Sequence, residues 1–165
     1  MQSLKAISTI LISAWLGTAV FFSAVVAPAA FAVLRAHNVT NAGEVAGGIV
    51  NRSLSVVNVS GFMISLFVLG SMFMFRNSYG RRWFLVQALA LAIVALMTAV
   101  GHWLIAARMR ALRTALELPI DQIAITDPRR VAFGNLHRYS VLALALAMLA
   151  ALVGSYLLTR STHTD

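Results

Sequence analysis

A chain of 165 residues that is 60% hydrophobic and only 11% charged has too little polar surface to cover a soluble core, since soluble domains carry about 25% charged residues. Its mean hydropathy of +0.84 makes a bilayer the natural solvent. The absence of cysteine excludes a disulfide framework and a thiolate metal site, and the net charge of +8 gathers at the ends of apolar runs, which is how anchors for anionic head groups are placed and not how a nucleic-acid surface is built.

The first element covers residues 6–34. No charged side chain lies between Lys5 and Arg35, and a helix needs roughly 20 apolar residues to cross the bilayer core. The segment AVVAPAAFA, Ala24 to Ala32, offers small residues of the kind a signal peptidase cuts. The apolar stretch from Ile7 to Val26 is nevertheless longer than the roughly 7–15 residues of a signal-peptide core, so it is read as a span. Pro28 is expected to kink or end this helix. Ser13 and Gly17 form a small-xxx-small step, which predicts close approach of a neighbouring helix.

The second span, 53–75, is opened by Asn51 and Arg52. Along it Asn51, Ser55, Asn58 and Ser65 recur at helical spacing and share one face. Two readings stand: helix–helix hydrogen bonds of about 0.6 kcal/mol each, or the lining of a cavity. The turn RNSYGRR, Arg76 to Arg82, leads into the third span, 83–107, which carries Gln87, Thr98 and His102 and ends at Arg108. In the long link that follows, Asp127-Pro128 reads as an N-cap and a proline at the first helical position. The fourth helix then starts outside the membrane and crosses it over 137–159, with His137, Arg138 and Ser140 at the threshold.

Backbone groups must be satisfied inside lipid, and the runs lack the alternation of a barrel strand. The expected fold is therefore an all-α membrane protein, a single four-helix transmembrane bundle over residues 1–165. Both termini lie on one side, side A, and side B carries the first and third links. A bare count of bases puts side B inside. The short basic turn on side A and the mixed charge of the third link favour the reverse, and the expectation is a bacterial inner-membrane protein with cytoplasmic termini.

Several polar groups converge at side B. Arg52, His102, Arg108, His137, Arg138 and Ser140 are expected to form a cluster there, with Asn51 and Asn58 beside it. Two histidines on facing helices can ligate haem, with arginines pairing its propionates. Two imidazoles aided by methionine sulfur can bind copper. A His–Arg–Asn cluster can hold an anion or relay protons. In the plainest reading Arg138 snorkels to head groups, His137 bonds a backbone carbonyl, and no cofactor is bound. No nucleophile elbow, phosphate loop or zinc-protease motif is present, and no acid lies inside a span, so an enzyme is not expected. The partners expected are the lipid bilayer and a homo-oligomer or larger membrane complex, with no nucleic acid.

Three segments carry a family resemblance: AWLGTAVFFSAVVAPAAF (Ala14 to Phe31), HWLIAARMRALR (His102 to Arg113) and FGNLHRYSVL (Phe133 to Leu142). In them the chain resembles the four-helix family of transmembrane protein 205, whose shared domain is one of unknown function. Trp15, Pro28, Trp103, Arg108, His137 and Ser140 fall on the family pattern. The chain departs from it at Ala107, where the family often has proline, and at His102. The resemblance implies a four-helix membrane bundle and hints at export of a metal or small molecule. The functional expectation is an accessory protein or a handler of metals or small solutes, with a haem-binding redox protein as the alternative.

Overall fold

The computed structural model describes residues 2–76, 80–116 and 118–160. Every regular element among them is helical: α1 (Gln2–Phe21), a π turn (Phe22–Val26), α2 (Ala27–Ala36), α3 (Ala42–Met74), α4 (Arg81–Ala99), a second π turn (Val100–Ile105), α5 (Ala106–Thr114), a 3-10 turn (Ile120–Gln122) and α6 (Pro128–Arg160). The π turns join their flanking helices into continuous rods, so four rods result. Each is long and apolar enough to cross a membrane, at 32 to 34 residues. At 1.5 Å per residue such a rod measures roughly 50 Å, against about 30 Å of hydrocarbon, so the ends project into the head groups. The chain is an integral membrane four-helix bundle.

Proline explains the first π turn. Pro28 has no N–H to donate, and its ring would collide with the carbonyl four residues back in an α-helix. The wider π turn from Phe22 to Val26 ends just before it and removes that collision. The helix neither stops nor breaks: α2 continues to Ala36. Beyond the turn the rod changes partner. α1 packs on α6 and α3, whereas α2 packs chiefly on α3.

The Asp127 cap forms as the sequence predicts. Its Oδ1 accepts a 2.8 Å hydrogen bond from the Arg129 backbone N–H, at the second helical position, and Pro128 occupies the first. The Arg129 side chain also donates to Oδ2 at 2.9 Å. The side-chain bond from Arg129, joined by the backbone N–H, lowers the Asp127 carboxyl from 3.8 to about 2.

The core runs between the rods. Ile12, Val68, Leu91, Val94 and Leu158 are fully or almost fully buried. On α6 the buried small residues Ala143, Ala147, Ala151 and Gly154 let α4 lie close, as membrane helix pairs require. One expectation is corrected here. Ser13 and Gly17 are exposed, and open space surrounds the place where a Cβ on Gly17 would sit. The close approach is made at Gly61 instead. Trp15 is buried there, its Nε1–H donates to the Val57 carbonyl at 2.8 Å, and its ring lies flush on the α3 backbone. A Cβ on Gly61 would fall 2.5 to 2.7 Å from three ring atoms.

Candidate functional site

All four rods surround a cavity of about 480 Å³ toward side B. Its walls are apolar. Phe22 and Phe31 come from the first rod, Val50 and Leu54 from α3, and Leu144 and Met148 from α6. Phe22 stands on the π turn, so the backbone adjustment that Pro28 demands also shapes the cavity wall. On α6 the residues Phe133, His137, Val141, Leu144 and Met148 recur at steps of three and four and form one stripe.

The rim is polar. Asn51, Arg110, Arg113 and His137 reach it, and Ser140 lies just inside, 7% exposed. Arg113 is held on three sides. Its Nη1 lies 3.4 Å from Glu44 Oε1, its guanidinium sits over the Phe133 ring at 5.1 Å, and its Nη2 occupies the space that a Cβ on Gly47 would need. The Arg113 Nε is buried and finds no hydrogen-bond partner among the described residues. Arg110, one turn earlier on α5, is exposed.

The third link closes the side B end. Ile120 of the 3-10 turn lines the cavity. The link is fastened by a 3.0 Å bond from Gln122 Nε2 to Asn41 Oδ1 and by a bond from Arg130 to the Ile123 carbonyl. Asn41 and Asn38 both have positive φ, 56° and 51°, which asparagine tolerates better than other residues with a side chain.

The predicted polar cluster is divided by this geometry. His137, Ser140 and Asn51 line the cavity. His102 does not: its Nδ1 is hydrogen-bonded to Ser55 Oγ at 3.1 Å, and its ring meets Trp103 edge-on at 4.9 Å. Asn58 is buried at 3% exposure against Gly101, where a Cβ would lie 3.0 Å from its Nδ2. Arg52, Arg108 and Arg138 are exposed and lie off the cavity wall. Among the described residues, no three His, Asp or Glu side chains gather where a metal ion could sit. The polar face of α3 thus serves two purposes: Asn51 turns to the cavity, while Ser55 and Asn58 turn to the second π turn.

Arg110, Arg113, Glu44 and Gly47 are the site residues that sequence reasoning missed. The arginines read as head-group anchors because they follow a span. Their spacing of three, with Met109 beside them, was the available signal that one face of α5 turns inward.

A family model described as a domain of unknown function matches residues 10–117. That stretch includes the rim arginines and ends before the α6 wall of the cavity. No curated protein and no solved structure matches the chain.

Proposed function

The chain belongs to the DUF4149 family, a domain of unknown function, and from that premise we propose that this integral membrane protein handles small solutes by binding them in the cavity between its four rods. The carrying observation is the cavity itself. Its volume of about 480 Å³ falls within the roughly 300–1,000 Å³ of small-molecule sites, which are likewise mostly apolar with a few converging polar groups. The resemblance of His102 to Arg113 and of Phe133 to Leu142 to the transmembrane protein 205 family supports the same reading. The haem alternative calls for two imidazoles facing one site. His102 is engaged by Ser55 away from the cavity, so that alternative is not carried forward.

The test fills the cavity. Ala145 lines it from α6 and is half-buried. Ala145→Trp is expected to weaken saturable binding of an apolar fluorescent probe, measured in phosphatidylcholine nanodiscs, by at least about tenfold. Its unfolding midpoint should stay near that of the parent, because the new ring enters empty space. Absence of saturable binding by the parent protein would sink the reading and leave the accessory role.

The same proposal places both termini in the cytoplasm of a bacterial inner membrane, with side B outward. The short basic turn from Arg76 to Arg82 supports this, since retained loops are rich in Lys and Arg. The chain has no cysteine, so single introduced thiols report topology directly. A membrane-impermeant maleimide should label Thr40→Cys in spheroplasts and Ser3→Cys only after lysis. The opposite pattern inverts the orientation.

A further inference from the structure

We infer that the solute is an anionic amphiphile, one acyl chain bearing a carboxylate or phosphate head, whose chain lies along the α6 stripe and whose head meets Arg110, Arg113 and His137. This rests on the cavity being a binding site, and three further observations carry it.

The first is length. The α6 wall runs from Phe133 to Met148, which at 1.5 Å per residue is roughly 22 Å, so an extended chain has one continuous wall to lie along.

The second is the division of polarity. The interior walls are mostly carbon, and the arginines stand together at the side B mouth, where a head group lies when its chain is in hydrocarbon. Arg113 is already oriented by Glu44, Gly47 and Phe133. An arginine fork held in place matches a carboxylate or phosphate better than a mobile point charge does.

The third is a side entrance. Beyond the π turn the first rod packs chiefly on α3, and Pro28 on that rod and Val141 on α6 are exposed while also lining the cavity. The lining thus reaches the outer surface of the bundle at these two residues, where the chain would enter laterally without passing its head through hydrocarbon.

The experiment uses the full chain in phosphatidylcholine nanodiscs and three photoactivatable probes with the same acyl chain: a fatty acid, a lysophosphatidic acid and a neutral monoacylglycerol. The crosslinked positions are mapped by mass spectrometry. Both anionic probes, or one of them, should label the α6 stripe at concentrations at least tenfold below the neutral probe. The stronger of the two identifies the head as carboxylate or phosphate. Arg110→Gln, at an exposed position where folding is not at stake, should remove most of that preference, and Arg110→Lys should keep part of it. Equal labelling by the neutral probe, with the parent preference absent, overturns the head-group assignment while the cavity stays a binding site. Labelling by none of the three, or labelling that Ala145→Trp leaves unchanged, overturns both.

Discussion

Gly61→Val should lower the resistance of the bundle to unfolding in detergent by about 3 kcal/mol or more, the upper end of overpacking costs. Two effects compete at this position. Removing glycine from a helix interior gains up to about 1 kcal/mol of helix propensity. Against it stands the Trp15 ring, with three atoms between 2.5 and 2.7 Å of the new Cβ. The indole is rigid and only 3% exposed, packed in the core together with buried Ile12 and Ala19. It cannot yield as a lysine tip would, so the steric term wins, and even Gly61→Ala should cost about 1–3 kcal/mol. The check is a double-mutant cycle read by reversible unfolding in mixed micelles. Of the clashing atoms, Cζ2 belongs to the fused six-membered ring that phenylalanine lacks, whereas Cε2 and Nε1 lie close to where its ring carbons fall, so the relief is partial. Trp15→Phe alone forfeits the bond to the Val57 carbonyl, worth about 0.6 kcal/mol in a membrane, together with some packing. Combined with Gly61→Ala it should recover part of the loss, a coupling of about 0.5–3 kcal/mol. Simple additivity would mean that Trp15 does not sit on the α3 backbone.

That contact also shows where sequence reasoning reaches its limit. The four rods were legible because charge interrupts the chain at Arg35, Arg52, Arg76, Arg82, Arg108 and Arg138, and bilayer thickness converts such intervals into helices. Asp127-Pro128 was legible because a cap is a local affair of four residues. Helix rotation was not. Ser13 and Gly17 mark a capacity for close packing, and nothing within α1 says which face the bundle will use. The partner that decides it, Gly61, lies 46 positions from Trp15 along the chain. The π turns hid the rest. Each inserts an extra residue into the helical ladder, which rotates everything beyond it by roughly 100°. Thr98 and His102 are therefore not stacked as an ideal helix would place them. Thr98 is buried, bonded to its own helix at Val94, and His102 turns to Ser55. His102 and His137 were joined by depth alone, and depth leaves azimuth free.

The rim reached this arrangement by a device that sequence alone does not display. Arg113 follows the third span and resembles every other anchoring arginine. It becomes a site residue because α3 extends well before Arg52, bringing Glu44 and Gly47 beside it. Membrane anchors normally face outward toward head groups. Here one anchor is turned inward over an apolar space, and the ring of Phe133 from the neighbouring rod packs against its guanidinium. An inward cation above carbon walls gives the bundle one place where an anion with an apolar tail is better satisfied than in either water or hydrocarbon alone.

Gly47→Ala separates the position of that cation from its charge. The new Cβ would fall on the Arg113 Nη2, which is the far end of a long side chain. The guanidinium should therefore swing aside, and α3 and α5 should keep their places. The propensity gain of up to about 1 kcal/mol offsets whatever Arg113 loses at Glu44, so the unfolding midpoint should change little. Binding of the anionic amphiphile should fall nonetheless. A charge-assisted hydrogen bond is worth about 1.5–3 kcal/mol, which at 1.4 kcal/mol per tenfold corresponds to a loss of roughly 10- to 100-fold. Binding of the neutral monoacylglycerol should be unchanged, because the carbon walls are untouched. Gly48→Ala supplies the control: it is the next residue on the same helix, exposed, with nothing within 4 Å of its Cβ position, and it should leave both ligands as they are. Titration of the two variants with both probes in the same nanodiscs decides the matter. Parent-like anionic binding in Gly47→Ala would show that the head group is held without the placement of Arg113, and would leave Arg110 and His137 as its contacts.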